Sequence, residues 1–182
     1  MLKAIDVANF FVDLASSMEE EFMTNLKVNK LVYFAQAWSL VRLNRELFSE
    51  DVVAWTYGPV IPSVYDAFRP CGRNKIEHVC GEYTQAKFSS EELDLLVDVA
   101  LQYGQYTAPT LVNITHKPKS PWSQVYKEHE NNIITKESMR EYFSALKPLP
   151  TFNPAFNEND FVGYRDSEGF LVLPKEWDDD DN

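Results

Sequence analysis

Lys27-Val28-Asn29-Lys30-Leu31-Val32-Tyr33-Phe34-Ala35-Gln36-Ala37-Trp38 reads as the body of a helix. Leu26, Leu31, Phe34, Ala35 and Trp38 fall on one stripe of a 3.6-residue repeat. Thr24 or Asn25 can place a side-chain oxygen on a free N–H of the first turn, so the spacing predicts a capped helix over about 26–43. Lys30 and Tyr33 lie three apart and therefore on neighbouring positions of one face. Aromatics at helical spacing have two readings, core or binding surface. Tyr33 and Tyr57 are the members expected to be exposed, since each carries a polar end.

Outward from this helix, Ile5, Ala8, Phe11, Ala15 and Met18 predict an amphipathic helix over 4–18, followed by the acid run Glu19-Glu20-Glu21, read as a solvated face or loop. On the other side the pattern breaks near Asn44. Asp51-Val52-Val53-Ala54-Trp55-Thr56 reads as a short strand, and Tyr57-Gly58-Pro59 as a turn in which Gly supplies unusual backbone angles. Pro62 opens a short helix with Val64, Tyr65 and Phe68, closed by Pro70 and Gly72. Ile76 to Val79 and Glu82 to Phe88 are expected as short strands. Ser89-Ser90-Glu91-Glu92 is a capping box for a helix that Gly104 ends. Pro109, Ser120-Pro121 and Thr135 mark three further helix starts. At least five helices are therefore expected in 1–147. No internal repeat is visible.

After Lys147 the character changes. Pro148, Pro150 and Pro154 break any helix. Phe161-Val162-Gly163-Tyr164 and Phe170-Leu171-Val172-Leu173 flank a polar turn with Asp166 and Gly169, which predicts a β-hairpin. The run Asp178 to Asp181 is expected to be disordered. The fold class is thus mainly α: a compact multi-helix domain with a small β element over 1–147, and an acidic extension over 148–182.

Charge and composition limit the chemistry. The net charge is −11, of which residues 148–182 carry −7 and residues 1–147 the remaining −4. Such a surface repels phosphate, so direct nucleic-acid binding is not expected. No apolar run approaches the roughly 18 residues of a membrane span, and the first residues lack a signal-peptide pattern, so a cytoplasmic protein without membrane insertion is expected. Cys71 and Cys80 read as free thiols. His78 between them makes zinc conceivable, but a fourth ligand and a Cys-x2-Cys knuckle are missing. No metal or cofactor is expected. The three histidines, His78, His116 and His129, form no recognisable nucleophile–base pattern, and P-loop, Gly-x-Gly-x-x-Gly and Gly-x-Ser-x-Gly sequences are absent. The chain is read as a binding protein, not an enzyme. His116 has a plain reading, a helix C-terminal residue favoured by the helix dipole, and a functional one.

The helix Lys27 to Trp38 resembles the pattern K-L-x-K-L-L-Y-F/Y-A-x-G/A-W. Leu47-Phe48 with Asp51 to Trp55, then Tyr57-Gly58-Pro59-Val60-Ile61-Pro62-Ser63-Val64-Tyr65, then Thr115-His116 with Ser120-Pro121-Trp122, follow in the same order over 4–147. Together they resemble the Panacea domain, the SocA-like or GepA-type antitoxin domain of bacteria and prophages. Val28 stands where Leu is commoner and Ala37 where Gly is frequent, both volume-tolerant changes. The resemblance implies an antitoxin that neutralises a cognate toxin by direct protein–protein binding. Its alternatives are a proteolytic adaptor that delivers the toxin to ClpXP and, from the acidic tail, a nucleic-acid mimic. Asn29, Lys30, Tyr33, Tyr57, Gly58, Pro59, His116 and Trp122 are the partner-binding candidates.

Overall fold

Helix α2, Asn25–Arg42, runs through the middle of the fold, and fifteen of its eighteen residues are buried. In this computed structural model, residues 1–17 and 23–151 are described, together with the backbone of 164–165 and 171–172. Two compact units divide the chain, Met1–Thr151 and Phe152–Asn182. In the first unit, α2 is contacted by α1 (Ala4–Ser16), α3 (Pro62–Phe68), α4 (Ser90–Tyr103), α5 (Ala108–Thr115), α7 (Lys136–Ser144) and strand β2 (Gly58–Val60). The short helix α6, Pro121–Val125, packs on α5 and α7.

The helix starts fall where side-chain oxygens meet orphan N–H groups. Thr24 Oγ1 accepts from Lys27 N–H at 3.2 Å. Ser89 and Glu92 form the reciprocal capping box of α4, at 3.3 and 2.9 Å. Thr107, Ser120 and Thr135 cap α5, α6 and α7 in the same way. Beneath these helices, β1 (Val52–Trp55) pairs antiparallel with β2 and with β3 (Ile133–Ile134), giving the order β2-β1-β3. The third strand was not expected.

The stripe expected on α2 is a belt instead. A helix walled on all sides buries every face, and its buried Asn25, Asn29, Lys30, Gln36 and Ser39 each bond a backbone group. Gln36 receives the Leu47 N–H at 2.9 Å and gives its amide to Phe48 O at 2.8 Å. Ser39 donates to Arg45 O at 2.7 Å. On α1, Asn9 receives the Cys80 N–H at 2.8 Å and donates to Cys80 O at 2.9 Å. This last pair corrects the strands expected at 76–79 and 82–88. That segment is irregular apart from a 3-10 turn at Gln85–Lys87, because a side-chain amide and the Ile76 N–H bond to Met23 O hold it, with no ladder.

In the second unit, β4 (Tyr164–Arg165) pairs antiparallel with β5 (Leu171–Val172), with Tyr164 opposite Val172 and Arg165 opposite Leu171. This is the pairing expected of the hairpin. Met18, Glu19 to Glu21, Phe161 to Gly163, Asp166, Gly169, Phe170, Leu173 and Asp178 to Asp181 lie outside the described residues.

Candidate functional site

The β1–β2 hairpin turns through Thr56 and Tyr57, and the left-handed residue is the one after them, Gly58, at φ +99°. Glycine is required there twice over. Its φ disfavours any side chain, and an added Cβ would lie 2.7 Å from Thr115 Oγ1 and 2.8 Å from Lys30 Cε. The Lys30 stem therefore passes directly beneath Gly58, and its ammonium donates to Pro59 O at 2.8 Å. One residue earlier on α2, Asn29 Oδ1 accepts the Ile61 N–H at 3.1 Å. Asn29 also donates to the backbone and side-chain oxygens of Asn25, and Asn25 donates to Tyr65 O at 3.0 Å. Three polar side chains of α2 thus hold the hairpin and the start of α3.

Burial pushes the Lys30 ammonium down to about 7. His116, at the C-terminal end of α5, is likewise held below its ordinary value, by burial first and by the Lys30 charge second. Its ring stacks on Trp122 at 3.6 Å, and Trp122 stacks on Tyr126 at 4.5 Å. Trp122 Nε1 donates to Trp55 O at 2.8 Å, tying α6 to the hairpin. His116 Nε2 and Trp55 Nε1 are both buried with no hydrogen-bond partner among the described residues.

On the outer side of the hairpin lies a groove of about 950 Å³. Its aromatic wall is Trp55, Tyr57, Tyr65 and Tyr126, its floor includes Asn25 and Asn29, and Arg69 and Arg73 stand on its edge. Tyr57 is 67% exposed, and Trp55 stands edge-on to Tyr65 at 5.0 Å.

Seven of the eight candidate residues gather around the hairpin. Lys30, Gly58 and Pro59 are in mutual contact, Asn29 holds the residue that follows β2, and Tyr57 forms the turn. His116 and Trp122 brace the hairpin from behind. Tyr33 is elsewhere, and its expected exposure is overturned. It is only 2% exposed and packs edge-on to Phe143 at 5.9 Å. The reason is α7, which covers the face of α2 that a lone amphipathic helix would leave open. Lys30 is fully buried as well. Sequence reasoning missed Arg69, Arg73, Tyr126 and the groove role of Tyr65. The available signal was the succession of Tyr65, Arg69 and Arg73 at and just beyond the end of a short helix.

Among the described residues, no cluster of three or more His, Cys, Asp or Glu side chains is placed to hold a metal. Both cysteines are free thiols, partly buried. No helix among the described residues is long and apolar enough to cross a membrane.

The fold is thus a helical domain whose central helix clamps an aromatic hairpin beside a groove. The profile of the family described as "Antitoxin SocA-like, Panacea domain" matches residues 28–123, the span from α2 to α6 that builds the hairpin and its supports. The chain belongs to this family. It is 29% identical over 131 residues to Antitoxin SocA of Caulobacter vibrioides (strain NA1000 / CB15N), covering 65% of this chain and 68% of that protein. No solved structure matches.

Proposed function

We propose that this protein is a cytoplasmic antitoxin that neutralises its cognate toxin by direct contact, with the β1–β2 hairpin and the adjoining groove as the gripping surface. The observation that carries this reading is Tyr57. A large aromatic side chain stands 67% exposed on a turn whose backbone is fixed from below by Lys30 and Asn29. Rigid, exposed aromatics beside a concavity are the residues that dominate protein-binding energy. Family membership supplies the class of partner, a toxin.

In this reading Tyr57 touches the toxin, and the buried Gly58 and Pro59 give the turn its shape. Asn29, Lys30, His116 and Trp122 set the position of the turn, and Tyr33 belongs to the core. The chain acts by occlusion and performs no reaction. Co-expression with the product of the neighbouring gene tests this. Cells should grow when both proteins are present and stop when only the toxin is made, while immunoblots show toxin abundance unchanged. Loss of the toxin from rescued cells would instead indicate delivery to ClpXP. Rescue that persists when the two proteins do not co-purify would contradict direct binding.

A further inference from the structure

We propose that the groove takes an acid-flanked apolar segment of the partner, its carboxylates paired with Arg69 and Arg73 and its apolar side chain set against Trp55, Tyr57 and Tyr65. The inference rests on the binding role proposed above and adds the chemistry of what is bound. It starts from charge. The chain carries −11 overall, yet this groove presents two exposed guanidinium groups, neither with an ion-pair partner among the described residues. Glu130 is the single carboxylate among the lining residues. It is already engaged, 3.6 Å from Lys127 Nζ and accepting from Asn132 Nδ2 at 2.8 Å. Among the described lining residues the guanidinium groups therefore outnumber carboxylates two to one on an acidic molecule.

The floor sharpens the reading. Asn25 and Asn29 line the groove, but their amides are committed to Tyr65 O, Ile61 N–H and each other. Beside the exposed His129 and Asn131, the groove offers aromatic surface and two planar guanidinium forks for recognition. A fork matches a carboxylate in a two-point contact that a lysine would not reproduce. The aromatic faces suit an aliphatic or aromatic side chain. A volume of about 950 Å³ accommodates several side chains of an extended or single-turn segment. Stacked bases and a phosphate backbone share part of this chemistry. The net negative charge of the chain disfavours the long approach of a polyanion, while leaving the local capture of one or two carboxylates unaffected.

The test uses the full chain, labelled with ¹⁵N, and four probes. Three are capped pentapeptides, Asp-Leu-Trp-Leu-Asp and its counterparts with Asn or Lys at both ends, and the fourth is an eight-residue thymidine oligonucleotide. The acidic peptide should shift amides of Trp55 to Val60 and Tyr65 to Arg73. It should bind about tenfold more tightly than the Asn peptide, with the preference shrinking as salt rises. The Lys peptide should not bind. The Arg69→Glu/Arg73→Glu chain should keep its melting temperature and lose that preference. Equal binding of the Asp and Asn peptides, no shifts at millimolar peptide, or preference for the oligonucleotide would each overturn the proposal. A variant that binds the toxin as tightly as the wild type would also overturn it and leave the antitoxin reading standing. Failure of the wild-type chain to bind the toxin at all would count against that reading, and the peptide series would still decide the chemistry of the groove.

Discussion

Lys30 is an ammonium group fully buried beneath a glycine, bonded to a single carbonyl. Its proton affinity in the fold lies well below that of an exposed lysine, at about 7. Between pH 7 and 10 the unfolded chain thus binds more protons at this site than the folded one, so stability rises with pH across that window. The full effect is on the order of 4–5 kcal/mol. Lys30→Met keeps the stem and removes the charge. Urea titrations at pH 7, 8, 9 and 10 should show wild-type stability climbing relative to the variant, and parallel curves would refute the buried-charge account. Gly58→Ala should cost about 2–4 kcal/mol, from the positive φ and the contact with Lys30 and Thr115, read as a lower urea midpoint. The turn at Gly58 was legible because only local backbone chemistry was needed. The burial of Lys30 and Tyr33 was not, since periodicity locates a face but cannot count the elements that will cover it.

Buried side-chain amides do work that strands do in other folds. Gln36 on α2 pins the Leu47-Phe48 backbone, and Asn9 on α1 pins Cys80. Gln36→Leu would leave the Leu47 N–H and the Phe48 carbonyl buried without that partner, a loss of roughly 2–4 kcal/mol. Hydrogen exchange of the Leu47 and Phe48 amides should accelerate in that variant while the centre of α4 stays protected; unchanged exchange would show that the peg is dispensable. This device also explains which elements the sequence disclosed. Thr24, Ser89, Ser120 and Thr135 announce their helices because a cap and its N–H lie three residues apart. Residues 76–88 looked like strands because Asn9, which fixes their path, lies 71 positions from Cys80. Ile133-Ile134 forms a strand only because β1 offers it an edge, and two residues carry no readable alternation.

Across the whole molecule, the family match spans the elements from α2 to α6, and the features it covers are mostly supports. Asn29, Lys30, His116 and Trp122 fix the hairpin from below and behind, while Tyr57 and the groove face outward. The recognisable motif was therefore legible as a fold signature, and the candidate binding surface was legible only in part. Arg69, Arg73 and Tyr126 gain their meaning from packing that joins α3, β1 and the segment after α6. Because supports and contacts are separable, they can be tested apart. The most direct measurement is the dissociation constant, by calorimetry, of the complex between this chain and its neighbouring-gene toxin, for the wild type and for Tyr57→Ala. The exposed Tyr57 side chain contributes nothing to the core, so the melting temperature should stay within about 1 °C. Its loss from the centre of an interface should weaken binding by about 1–4 kcal/mol. An unchanged dissociation constant in a fully folded Tyr57→Ala chain would contradict the hairpin as the gripping surface.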